Sequence, residues 1–344
     1  MATIQKFFFP PEWTPQGGIQ LTWPDAQTDW AGQLPEVTAV YEKIAREILK
    51  QESLLIVCRN QQYLPSFLQK KTAGLLVCEM PINDTWTRDH GALTVIEQGN
   101  PVLLNFRFNG WGLKFPANAD NQITSTLIRK KAYAPQVTIK NHTDFTLEGG
   151  SVESNGKGCL LTTSRCLLSK NRNERFSQTE IELFLRKTFH AEKVLWLDNG
   201  FIEGDDTDSH IDTLARFCAP DTIAYVRCNN PEDGHFLPLQ RMEAQLRQFT
   251  DQLQHPFKLV PLPWPDPVIE EGQRLPATYA NFLILNKAVL LPVYRVSQDQ
   301  EALTIMRRLF PNREIIPIDS VPLIRQHGSI HCITMQYPKN TLAI

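Results

Sequence analysis

A cysteine, a histidine and three carboxylates stand in widely separated segments of this chain: Cys332 in "HGSIHCITMQ", His210 and Asp212 in "GDDTDSHIDTLARF", Asp89 in "TWTRDHGALTV" and Glu148 in "FTLEGGSV". One thiol with one histidine and several acids is a poor site for cleaving amides, because a negative pocket opposes the oxyanion that forms on the carbonyl. It suits a guanidinium. A planar cation with five donors pairs bidentately with two carboxylates, and its own charge helps to hold a nearby thiol as thiolate. Thiolate attack on the central carbon divides a difficult hydrolysis into two easier steps. A protonated histidine beside an acid can give its proton to departing ammonia and then take one from the attacking water. No metal and no cofactor are required.

Taken singly, each residue also has a plainer reading. On a strand His210 and Asp212 share one face, with Asp208 on the same face; as a loop the same residues are solvated charges. Asp89, at the entrance to a strand-like run, is equally a turn former, and the Gly-Gly after Glu148 is equally a hairpin. His331 alternates away from the Cys332 face on a strand and reads as packing. Cys58, Cys78, Cys159, Cys166, Cys218 and Cys228 lie in or beside apolar runs and read as small core residues. Trp86 is the leading candidate to line a pocket, ahead of Trp23 and Trp111. Asp84, Asp206 and Asp208 could hold a distal ammonium of the substrate or shape turns, and Asp205 is assigned to a turn.

The elements that must position these groups recur. Ten apolar runs read as strands in five pairs, beginning with "LLIVC" and "GLLVCE" and ending with "AVLLPV" and "EIIPI". Amphipathic helices are expected between the members of each pair, starting near Pro65, Ala119, Ser177, Leu239 and Gln298, a spacing of roughly 60 residues. "SQTE" (177–180) and "SQDQ" (297–300) carry the Ser-x-x-Glu/Gln of a capping box. If the five α/β units close around an axis as propeller blades do, the segments after each second strand ("NDTWTRDHG", "DFTLEGG", "GDDTDSHIDTLARF", "PATYANF", "HGSIHC") meet at a hub. The competing arrangement is an open α/β sheet with unrelated loops. The stretch through Lys50 reads as a helix and a proline-rich lead-in outside the five units.

Composition narrows the partners. A formal net charge of -2 with 21% charged residues argues against a nucleic-acid arm or a basic membrane face, leaving a small neutral or cationic partner. "MATIQKFFFPPEW" lacks the apolar core of a signal peptide, no run reaches membrane-spanning length, and seven cysteines without a CxxC point to a reduced cytoplasmic protein. The 24 prolines are scattered and no linker composition interrupts the series, so residues 1–344 read as one catalytic domain.

With these residues in hand, the sequence resembles the agmatine deiminase and peptidylarginine deiminase family of guanidine-modifying enzymes. The likeness runs through "WPDAQTDW" (23–30), "DTWTRDHG" (84–91), "LEGGSVESNGKGCLLTTSRCLLSKNRN" (147–173), "GDDTDSHIDTLARF" (204–217), "YANFLILN" (279–286) and "GSIHCITMQYP" (328–338). It implies a five-bladed pentein propeller with pseudo-fivefold repeats around a central site. It also implies Cys332 as the amidino-cysteine nucleophile, His210 as general acid/base, Asp89 and Asp212 as the guanidinium-binding pair and Glu148 as the group that orients His210. The family pattern commonly has Gly, Pro and Asn where Ser209, Ala92 and Ser329 stand here. The expected reaction is hydrolysis of agmatine to N-carbamoylputrescine and ammonia. Deimination of arginine in peptides is the alternative, amidino transfer to an amine a third, and a guanidine-binding module without catalysis the reading from another class. Self-association as a homodimer is common among related proteins.

Overall fold

The computed structural model describes residues 7–344; the first six, part of the lead-in read above for a leader, lie outside the described residues. Among the described residues the strands form five sheets of three or four strands and one two-stranded ribbon. All ten apolar runs are strands, paired in parallel as expected: Ser53–Cys58 with Leu75–Glu79, Asn100–Arg107 with Thr138–Thr146, Cys159–Thr163 with Lys193–Leu197, Thr222–Arg227 with Lys258–Pro263, and Ala288–Val293 with Glu314–Asp319. Parallel neighbours need a crossover, and a helix usually supplies it.

Each sheet also has a short antiparallel strand. These are Leu93–Glu97, Val152–Ser154, Ala215–Ala219, Leu283–Ile284 and, from the far end of the chain, Thr334–Pro338. The last pairs not with Ser53–Cys58 but with Gln16–Thr22, which itself runs parallel to Ser53–Cys58. The repeating plan is therefore antiparallel strand, middle strand, helix, parallel strand. Its first copy is built from Thr334–Pro338, Gln16–Thr22, Leu34–Leu49 and Ser53–Cys58.

That overturns one expectation. The helix near Pro65 is a single turn, Ser66–Gln69, on an appended fourth strand, whereas Leu34–Leu49, placed outside the units by sequence, is the crossover helix between the parallel strands Gln16–Thr22 and Ser53–Cys58. Its apolar residues Val37, Val40, Tyr41, Ile44, Ala45 and Ile48 recur every three or four positions and are all buried. Burying each of the larger ones contributes about 1.5–3 kcal/mol, which a single turn cannot match. The other four helices stand where expected: Ile123–Arg129, Gln178–Phe189, Phe236–Leu246 and Asp299–Leu309.

Of the two capping boxes, one forms. Ser177 and Glu180 exchange side-chain and backbone hydrogen bonds at the start of Gln178–Phe189. The other does not: Gln298 is the N-cap, Ser297 turns to Asp266, and Asp299 instead accepts the backbone amides of Tyr294 and Val296.

Candidate active site

Six polar groups from five segments sit at one equivalent place, just before the short antiparallel strand of each sheet. Asp89 lies in the helical turn Thr87–His90, Glu148 caps the turn Gly149–Ser151, His210 precedes the turn Ile211–Leu214 that holds Asp212, Asn281 precedes Leu283–Ile284, and Cys332 precedes Thr334–Pro338. All are buried, none more than 5% exposed. The expected strand for His210 and Asp212 is a helical turn, so alternation does not align them; the chain reversal does. Asp208 leaves that face altogether. It has φ 67°, and its carboxylate takes Lys114 Nζ at 2.8 Å and Arg172 Nη1 at 2.6 Å, so it is already paired twice.

The groups converge on Gly150. A β-carbon there would lie 2.7 Å from His210 Nδ1 and 3.0 Å from both Asp212 Oδ2 and Asp89 Oδ1, and the Gly150 amide itself donates to Asp89 Oδ1 at 3.0 Å. Trp111 Nε1 donates to the other Asp89 oxygen at 2.9 Å. Gly150→Ala is therefore expected to lower turnover by about a hundredfold or more, the scale for displacing positioned groups by about 1 Å, with little change in melting temperature. Unaltered steady-state kinetics in that variant would show that the convergence is not the reacting centre.

Cys332 Sγ receives Asn281 Nδ2 at 3.2 Å and lies 4.0 Å from Asp212 Oδ2. Asn281 Oδ1 accepts the His331 amide at 2.9 Å, tying the turn that carries the thiol. Burial pushes the Cys332 thiol well above its ordinary range, the Asp212 and Asp89 carboxylates push it further, and the Ser329 backbone and Asn281 pull back only in part. The resting residue is a thiol. A cation placed between the two acids would remove the second contribution.

His210 has the opposite bias. Burial pulls its imidazole down, but Asp89, Cys166 and Glu148 together hold it well above the usual histidine range. Asp89 Oδ1 is 3.6 Å from Nδ1 and Glu148 Oε2 is 3.9 Å from Nε2; both ring nitrogens lack a hydrogen-bond partner. Glu148 is itself gripped by Arg172 Nε at 2.9 and 3.0 Å.

Two clusters could in principle hold a metal: Glu148, Cys166 and His210, and Glu12, Glu153 and His331. In the first, Arg172 already covers both Glu148 oxygens; in the second, the Arg216 guanidinium bonds Glu12 and Glu153. Each carboxylate set is thus neutralised by a buried arginine, and a divalent ion would have to share it with that charge.

The remaining expectations divide. Asp84 is held by the Thr85 amide (2.7 Å) and Trp86 Nε1 (3.1 Å), beside a depression of about 340 Å³ that it lines with Asp29, Arg59, Trp111 and Phe115. Asp206 is half-buried, and Lys114 Nζ bonds its carbonyl at 2.6 Å. Burial raises Asp84 and Asp206 each to about 6. Trp23 is core, edge-on to Tyr41; Trp111, ranked below Trp86, bonds Asp89, whereas Trp86 bonds Asp84. Asp205 accepts from Thr207 and Ser209, as a turn residue should. Ser209 has φ 64°, the backbone state that explains glycine in the family pattern. Cys166, read as core filler, adjoins His210 and Glu148.

A profile for Porphyromonas-type peptidyl-arginine deiminases matches residues 8–338. The chain belongs to that family. Agmatine deiminase of Pseudomonas aeruginosa (strain LESB58) is 30% identical over 96% of this chain and 95% of its own length. Among solved structures, a Porphyromonas gingivalis protein provisionally designated an arginine deiminase is 47% identical, with TM-score 0.93 over 98% of this chain and all of that one. A cysteine-to-serine variant of the C. jejuni agmatine deiminase with substrate bound is 37% identical, with TM-score 0.90 over 97% and 96% of the two chains. Deiminase relatives thus share the length and the α/β architecture of the chain that builds this site.

Proposed function

We propose that the protein hydrolyses agmatine to N-carbamoylputrescine and ammonia, acting as one catalytic domain in which the five sheets are blades of a pentein propeller. The observation that carries this reading is the buried set of Cys332, His210, Asp89, Asp212 and Glu148, all enclosed and drawn from equivalent positions in the sheets. The guanidinium sits between Asp89 and Asp212, which offsets the two carboxylates that hold Cys332 protonated, and the thiol ionises as the cation arrives. The thiolate attacks the central carbon. Protonated His210 gives its proton to the departing amino group, ammonia leaves, and an amidino-thioether remains. Water then attacks, His210 takes its proton, and the C–S bond breaks to release the ureido product and regenerate Cys332. Glu148, fixed by Arg172, orients the imidazole. No step needs a metal or cofactor.

The tail is read by acids. Asp84, bonded to Trp86, and Asp206 suit an ammonium, and an enclosed site suits a small substrate better than a peptide backbone. Agmatine is therefore expected to exceed free arginine and a blocked arginyl peptide in kcat/KM by about tenfold or more. Because both tail carboxyls are raised, their charge is present above pH about 6 and lost below it, so KM for agmatine should climb as pH falls through 6. Ammonia release from the three substrates, measured from pH 5 to 8, tests both points; a preference for the peptide replaces this reading.

Deimination of peptidyl or free arginine is the second reading. It is favoured by Lys114, 37% exposed at its side chain beside Asp206 and Asp208, which could receive a carboxylate or carbonyl. Seven free cysteines fit a reducing, cytoplasmic setting, and among the described residues no helix is long and apolar enough to cross a membrane. A product ending in a ureido group and an amine fits a place in polyamine synthesis.

A further inference from the structure

His331 was expected to turn away from the site and serve as packing. Its ring instead lies between two carboxylates: Nδ1 is 2.7 Å from Asp212 Oδ2, and Nε2 is 3.2 Å from Glu12 Oε2. The residue lies in a turn rather than a strand, so alternation from Cys332 does not apply. Each ring nitrogen faces a carboxylate oxygen, so the imidazole is clamped between Asp212 and Glu12.

We infer that His331 is a positioning residue, which fixes the Asp212 carboxylate in the orientation that receives the substrate guanidinium. The inference rests on the proposed guanidine hydrolysis. Asp212 Oδ2 is committed to His331, while Oδ1 is buried without any partner, a costly state unless something is meant to meet it. Holding one oxygen selects the other for the ligand. A free carboxylate would rotate either oxygen toward Cys332 or the substrate, and a hydrogen bond from a guanidinium N–H to one fixed oxygen weakens steeply once that oxygen turns away.

The clamp is anchored from behind. Glu12 bonds Arg216, Arg216 bonds Glu153 and the carbonyls of Ala280 and Phe282, and Arg88 Nε reaches the His331 carbonyl at 3.3 Å. The charged and titratable groups facing His331 are therefore Asp212 and Glu12 directly, with Arg216, Glu153, Arg88 and the adjacent Cys332 behind them. Burial alone would raise the Asp212 carboxyl, but the hydrogen bond and charge of His331 turn the net effect downward. Removing His331 leaves that burial opposed only by more distant cations.

Two variants test the role. His331→Asn should move the lower part of the acid limb of the kcat/KM profile, beneath the step near pH 6 that Asp84 and Asp206 give, upward by about one pH unit, because Asp212 then protonates more readily, and should weaken agmatine binding about tenfold in a Cys332→Ser background, where no turnover intervenes. Glu12→Gln, nearly isosteric and still able to accept from His331, should give the same changes with smaller size, and it serves if His331→Asn fails to fold. A purely structural role would lower the melting temperature and leave the acid limb in place. Native limb and native affinity in a folded variant overturn the inference. If the Cys332→Ser protein with native His331 binds no agmatine and the native enzyme releases no ammonia, it is the proposed function that fails instead.

Discussion

Replacing Cys332 with serine is expected to lower ammonia release from agmatine by roughly four orders of magnitude or more, as removal of an activated nucleophile does elsewhere. The pocket around this position is arranged to make ionisation conditional. Burial and two carboxylates oppose the thiolate, and only Asn281 and a backbone donor favour it, so the anion gains its stability when a cation neutralises Asp89 and Asp212. A serine hydroxyl starts several units higher in pKa and cannot cross the same gap at neutral pH. The side chain contributes little to the fold beyond a 3.2 Å contact with Asn281, and serine can occupy the same space. The variant should therefore melt close to the native protein and still bind agmatine. Ammonia release together with a thermal melt decides the matter: activity near the native level would eliminate the covalent route.

The strands were legible because each is a short apolar run, and the parallel pairing buries both faces of such runs. What local periodicity could not show was the pairing of the two ends of the chain in one sheet. Thr334–Pro338 pairs with Gln16–Thr22 across more than 300 positions, and that pairing completes a sheet whose first crossover helix is Leu34–Leu49. An even spacing of helices favoured Pro65, where one turn stands.

Residue types carried the site further than face arguments did. Cys332, His210, Asp89, Asp212 and Glu148 come together although His210 and Asp212 lie on a helical turn, since a tight turn and a strand both bring residues two apart near one another. The missed groups act through others. Asn281 stood in the one expected hub segment, "PATYANF", without an acid, histidine or cysteine; once four segments had each supplied a polar group, its amide was the remaining signal. Arg172 holds Glu148, His331 holds Asp212 and Glu12 backs His331, and no spacing in the sequence marks such support. Asp208 failed as a tail ligand for the matching reason: Arg172 and Lys114 had already claimed it.

His210→Asn is expected to lower turnover by roughly a hundredfold or more, the usual contribution of a general acid/base. Asparagine keeps a hydrogen-bonding group near Asp89 but cannot deliver a proton to the leaving amino group or accept one from water. The sign of the pH dependence follows from the bias on the ring. Burial draws the imidazole down while Asp89, Cys166 and Glu148 raise it further, so the acid form is present through neutral pH and is lost as pH rises through the elevated value. The native kcat/KM profile should thus fall on its alkaline side, and that fall should vanish in His210→Asn. Asp89→Asn removes the largest of the raising charges and should move the same limb to lower pH while weakening agmatine binding. Initial rates from pH 5 to 10 for the three proteins separate these outcomes. An alkaline limb that persists unchanged in His210→Asn would assign the proton transfer to another group.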